Sequence, residues 1–227
     1  MTEPPSEWYD PYFAMEMYFS PLFGKVAMRG REPLVPSLFM LLRDARRASG
    51  RDPVTGRRLD DSISWRWLGV VAYLIVLDNI GSCFRPEGVQ RIKGNTIKRA
   101  IRYFSSLSDR EAQAIYALRC ALAHDYSLSN RISQRPELRY SFRLEGRLRD
   151  ELLVIPEVPW DGALIPESDE RTTIVCVPRL GDLVEEIVQA VLDLYTMRQL
   201  ALELEGGGAE LLYRYTMTGE NLDVLAL

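Results

Sequence analysis

The chain reads as a mainly α protein, a helical bundle carrying a small antiparallel β insertion before its last long helix. Three observations give that class. Apolar residues recur at helical spacing through most of residues 12–124 and again from residue 180. The run LGVVAYLIVL, Leu68 to Leu77, is apolar on every side, as a helix at the centre of a bundle must be. Between residues 138 and 178 the period falls to two, with LRYSFRLE, ELLVIPE and RTTIVCVP alternating apolar and polar.

The elements follow in order. The opening is aromatic-rich, with Trp8, Tyr9, Tyr12, Phe13, Tyr18, Phe19 and Phe23. It predicts a helix from about residue 12 lying on the core, with an arm reaching a second subunit as the alternative. Pro36 suits a first helical turn and leads into SLFMLLRDARRAS. Ser49 to Asp61 is a polar Gly/Pro loop. The central helix is expected from Ser62 or Ser64 to about Ser82. Asp78 lies near its end, where a carboxylate in apolar surroundings costs free energy unless it is paired. An interhelical ion pair and a role in a site are both open to it.

Asn95 to Ser105 predicts the next helix, with Ile97, Ala100, Ile101 and Phe104 inside and a cationic outer face of Lys98, Arg99 and Arg102. Ser108 to Glu111 spells SDRE, a capping box that opens another helix. Ala112, Ile115, Leu118 and Leu122 form its core stripe, and it ends near His124. After the β insertion, a last helix is expected from Leu180 to about Glu205, with Leu183, Ile187, Ala190, Val191 and Leu194 inside. Gly206, Gly207 and Gly208 then act as a terminator and flexible joint. The organisation is one helical domain over residues 1–205, including the insertion at about 138–178, and a Gly-led tail over 206–227 that adds a strand or docks on a partner.

Composition limits the function. The 47% apolar content suits a globular core. The longest apolar run is far short of the roughly 20 residues that span a bilayer, so no membrane association is expected. MTEPPSEWYD is acidic and unlike a signal peptide. Cys83, Cys120 and Cys176 are widely spaced, form no CxxC pair and read as reduced thiols of a cytoplasmic protein, with no metal site. Residues 1–150 hold 24 Lys and Arg against 17 Asp and Glu, while residues 151–227 hold 4 against 15. This division suggests an anionic partner for the first part. Phosphate loops of the Walker type, dinucleotide fingerprints, nucleophile elbows and His/Cys metal clusters are all missing.

What remains is RCALAHDYSL, residues 119–128, which contains His124, the chain's single histidine, five positions after Arg119. Imidazole is the side chain that ordinarily titrates near neutrality. Paired with a guanidinium it suits phosphodiester cleavage: the imidazole moves a proton while the guanidinium holds charge on phosphorus. Residues five apart in an ideal helix differ by about 140° around its axis. Arg119 and His124 therefore converge only if Arg119 reaches round, the helix breaks near Ala123, or two chains face each other.

Arg119-Cys-Ala-Leu-Ala-His124, within YALRCALAHDYSLSN, resembles the Arg-x4-His motif of the HEPN superfamily. The resemblance implies a HEPN-like helical bundle, usually a homodimer, with the motifs of two chains lining one cleft. It implies a metal-independent endoribonuclease that needs no cofactor and leaves a 2′,3′-cyclic phosphate, as in toxin–antitoxin, abortive-infection or phage-defence effectors with an antitoxin or other protein partner. Carried over, Arg119 stabilises the scissile phosphate and His124 is the acid–base group. The family commonly has Asn directly after the Arg, where this chain has Cys120, and the β insertion lies outside the helical core. Supporting candidates are Asp78 and Asp125, which can orient the pair, and Tyr126, which can stack on a base or belong to the core. RNA contacts are expected from Lys98, Arg102, Arg131 and Arg135, with Arg139, Arg143, Arg147 and Arg149 following. The alternatives are a non-catalytic HEPN-like module binding RNA, a nucleotide or a protein, and a helical interaction protein in which His124 is structural.

Overall fold

The computed structural model describes residues 5–29, 32–59, 67–130, 137, 139–163 and 169–218. Among them are seven α-helices and three small sheets, so the protein is mainly helical. No helix of the described residues is long and apolar enough to cross a membrane.

Helix α1, Pro11–Phe19, starts where Asp10 accepts the backbone N–H groups of Tyr12 and Phe13 and Pro11 supplies the first turn. It buries Met15, Tyr18 and Phe19, whereas Tyr9, Tyr12 and Phe23 are exposed, so the aromatic opening lies only in part on the core. Strands β1, Ala27–Arg29, and β2, Glu32–Pro36, lead into α2, Ser37–Ala48. Helix α3 is described from Trp67 to Cys83; the expected start at Ser62 or Ser64 lies outside the described residues. Its Val70, Tyr73, Leu74, Val76, Leu77 and Ile80 are buried, but Leu68 and Ile75 are exposed, so the apolar run is not buried on every side as expected. Strand β3, Phe84–Pro86, continues from it.

Helices α4, Thr96–Phe104, and α5, Asp109–Cys120, pack in sequence on this core. Asn95 caps α4, and Ser108 and Glu111 form the capping box of α5. The contact between α3 and α4 is unusually close. A methyl group added at Gly81 would lie 1.9 Å from the Thr96 carbonyl oxygen and 2.9 Å from the Ala100 nitrogen, so only glycine fits.

The β region differs from expectation. Strands β4, Ser129–Asn130, β5, Tyr140–Glu145, β6, Leu153–Val154, and β7, Thr172–Cys176, form a sheet in the order β4-β5-β7-β6. Its central pair, β5 and β7, is parallel, with Ser141 opposite Thr172 and Glu145 opposite Cys176. The sheet is therefore mixed rather than antiparallel. The long segment between β5 and β7 permits the crossover that parallel pairing needs, and β6 from that segment joins the far side of β7.

The last long helix is also shorter than expected. Helix α6, Val177–Thr196, ends in a Schellman-type turn: Arg198 takes a left-handed conformation and Gln199 N–H donates to the Leu194 carbonyl at 2.8 Å. Strand β8, Leu200–Leu202, then pairs antiparallel with β3. The glycines at 206–208 open helix α7, Gly207–Arg214, which packs on α1, in place of a flexible joint. Strand β9, Thr216–Thr218, adds to β2, so the described part of the C-terminal segment is built into the fold.

Gly81→Ala is expected to lower the unfolding free energy by about 2 kcal/mol or more, because backbone overpacking outweighs the gain in helix propensity. Urea denaturation checks this, and an unchanged midpoint would show that α3 and α4 can separate without cost.

Candidate functional site

Asp78 sits on the last turns of α3, Thr96 at the start of α4, Arg119 on the last turn of α5 and His124 just beyond it. Arg119 Nε donates to Asp78 Oδ2 at 2.9 Å, and the Thr96 hydroxyl donates to the other Asp78 oxygen. Arg119 is 31% exposed and Asp78 19%, so the pair lies at the protein surface with one side toward solvent. With Nε engaged, the terminal nitrogens Nη1 and Nη2 are left for other contacts.

After Cys120 the helix widens into a single π turn, Ala121–Asp125, in which Tyr126 N–H reaches back to the Ala121 and Leu122 carbonyls. Hydrogen bonds spanning five residues bring groups five apart toward one face. Leu122 stays buried while the exposed His124 swings back over Arg119, leaving Arg119 Nη1 3.5 Å from His124 Nε2. For Nε2 to accept this long contact, the ring proton must be on Nδ1. The break near Ala123 is thus the route by which the two residues meet within one chain.

Tyr126 ends the turn at φ 47°, a conformation rare for a residue with a side chain. Its ring is 54% exposed, outside the core, and lies 5.1 Å from the Trp67 ring, centre to centre. Trp67 is half-buried against the core, and Tyr126, two residues after His124, is the more exposed ring of the pair.

The remaining candidates fall elsewhere. Cys120 is buried and points away from solvent, so it adds no polar group to the open side of Arg119. Asp125 is exposed and makes no hydrogen bond to Arg119 or His124. Lys98 is held by the Gln113 side chain and lies 5.4 Å from the centre of the Tyr116 ring. Partial burial, and then the like charge of Arg102, lowers its ammonium below the ordinary value. Arg102 is tied to Asp109 at 2.8 Å. Arg99, expected on the same outer face, is buried. Arg131 and Arg135 lie outside the described residues. Arg143 and Arg147 are exposed, and Arg149 pairs with Glu145. Thr96 and Trp67 were not singled out by the sequence. A threonine opening a capped helix and a tryptophan before an apolar run carry no chemical signature.

Among the described residues no three His, Cys, Asp or Glu side chains gather as metal ligands would. The arrangement offers one orienting carboxylate, one guanidinium not bonded to that carboxylate through its terminal nitrogens, and one imidazole facing Nη1. It suits an oxyanion with a transferable proton nearby. Comparison with protein-family models, with curated proteins and with solved structures yields no match.

A double-mutant cycle with Asp78→Ala and Arg119→Ala should give a coupling of about 1 kcal/mol in unfolding free energy, reduced from a buried pair by solvent screening. Zero coupling would mean that Asp78 does not hold Arg119 in solution.

Proposed function

We propose that the protein is a HEPN-like, metal-independent endoribonuclease, with Arg119 and His124 as its catalytic residues and Asp78 as a positioning residue. The observation that supports it is the convergence of the chain's single imidazole on a guanidinium held by Asp78 through Nε, with Nη1 3.5 Å from His124 Nε2. A phosphodiester seated on the Arg119 edge places its ribose oxygens within reach of His124.

In the proposed reaction, His124 Nε2 takes the proton of the ribose 2′-hydroxyl and the 2′-oxygen attacks phosphorus. The bond from phosphorus to the 5′-oxygen breaks, and that oxygen gains a proton. A 2′,3′-cyclic phosphate and a 5′-hydroxyl result. Arg119 offsets the extra charge on the pentavalent phosphorus. A single imidazole per chain cannot both accept the first proton and donate the second at the same instant, so the second comes from water or from His124 of a second copy. The shallow, solvent-facing position of the pair favours the second copy and a homodimer whose cleft contains both motifs. The exposed Tyr126 ring is where an unpaired base would stack, a contact indifferent to base identity.

The test is incubation of labelled structured RNAs with wild type, His124→Ala and Arg119→Ala in EDTA, with circular dichroism to confirm folding. Wild type should leave cyclic-phosphate ends, and each variant should lose on the order of 100-fold or more in rate. Equal cleavage by wild type and His124→Ala would overturn the assignment. Salt-sensitive RNA binding with no cleavage by any of them would replace the enzyme with a binding module.

A further inference from the structure

Asp78 carries two oxygens, and the fold divides them between two helices. Oδ2 accepts from Arg119 Nε at 2.9 Å, while Oδ1 accepts from the Thr96 hydroxyl at the start of α4. A carboxylate and a guanidinium left to themselves commonly meet through two parallel N–H···O bonds. Arg119 gives Asp78 only one, and its Nη1 turns instead toward His124 Nε2 at 3.5 Å. The ion pair is held at a single point.

The Thr96 hydroxyl is not needed to start its own helix. Asn95 caps α4, its side chain accepting from the Ile97 N–H at 2.8 Å. Nor can Thr96 follow Asp78 if the carboxylate turns. Its backbone rests on α3 at Gly81, where an added methyl group would lie 1.9 Å from the Thr96 carbonyl oxygen. Branching at Cβ further restricts its side chain to few rotamers. The nearby Ser82 hydroxyl donates to the Asp78 backbone carbonyl at 2.7 Å and not to the carboxylate. The carboxylate is therefore oriented from α4, with Oδ2 presented to Arg119.

We propose that Thr96 is a positioning residue: by holding Oδ1 it keeps Arg119 to one bond with Asp78, so that Nη1 and Nη2 meet the phosphodiester beside His124. Without the hydroxyl, Asp78 turns and takes Arg119 through both oxygens, one on Nε and one on Nη2. The guanidinium then swings off its line to His124, and less of its charge reaches phosphorus. The one-point contact stands on the geometry alone, whereas its effect on cleavage rests on the ribonuclease reading.

The test compares wild type with Thr96→Val, which keeps the branching but not the hydroxyl, and with Thr96→Ser, which keeps the hydroxyl. Crystal structures should show one bond between Arg119 and Asp78 in wild type and Thr96→Ser, and two in Thr96→Val. In RNA cleavage, kcat of Thr96→Val should fall at least about tenfold with KM nearly unchanged, as for a misaimed group that acts in the transition state. Thr96→Ser should stay within about threefold of wild type, since the donor is retained. Circular dichroism confirms folding. If Thr96→Val does not fold, Thr96→Ala, with its higher helix propensity, takes its place with the same expectations. If neither folds, the hydroxyl is structural and the proposal fails. Wild-type kcat without the hydroxyl would overturn it, as would an equal loss in Thr96→Ser or an Arg119 unmoved in the variant structure. If wild type cleaves no RNA, the ribonuclease reading fails and the structures alone decide: two bonds in Thr96→Val support the control of Arg119 by Thr96, and one bond overturns it.

Discussion

The close passage of α3 against α4 at Gly81 fixes the distances on which the rest depends. Because residue 81 has no side chain, the Thr96 backbone rests directly on α3. That contact brings the Thr96 hydroxyl to Asp78, less than one turn earlier on the same helix. Asp78, with one oxygen taken by Thr96, presents the other to Arg119 on α5. Three helices are thereby tied at one end of the bundle by a single carboxylate. The apolar packing below them, from Tyr73 and Leu77 to Ile97, Ile115 and Leu118, makes that end rigid.

The chemistry of the site follows from what this tie leaves free. A guanidinium held through Nε has its terminal nitrogens left for other contacts, and its direction is set by a hydrogen bond to a charged group, stronger than a neutral one. The π turn at Ala121–Asp125 supplies the second component, since an ordinary α-helix would carry His124 round to another face. Widened turns of this kind are often found at functional positions, as are side chains held in left-handed conformations such as Tyr126. Neither feature is imposed by a glycine, so the local sequence does not demand them; within the turn Leu122 is buried in the core.

Most helices were legible because each carries a local signal: the Ser108–Glu111 capping box, the Ile97 to Phe104 stripe, the apolar run of α3. The Arg119–His124 pair was legible for a different reason, the rarity of histidine in this chain. What escaped had no local signal. The end of α6 depends on Arg198 adopting a conformation that glycine usually marks. The parallel pairing of β5 with β7 is a property of the crossover, which alternation within a strand cannot report. Arg99 looked like part of a solvated cationic face, yet it is buried and approaches Glu203, a residue more than a hundred positions away, at 4.0 Å. Thr96 matters only through a helix-to-helix distance.

The most direct test of the Arg119–His124 site as a phosphodiester site is a crystal structure with a dinucleotide whose 2′-hydroxyl is replaced by hydrogen, so that it binds without being cleaved. The predicted result has the phosphate on the terminal nitrogens of Arg119, the substituted 2′ position facing His124 Nε2, and Asp78 still bonded to Arg119 Nε. A dinucleotide bound elsewhere, with Arg119 and His124 open to solvent, would contradict it.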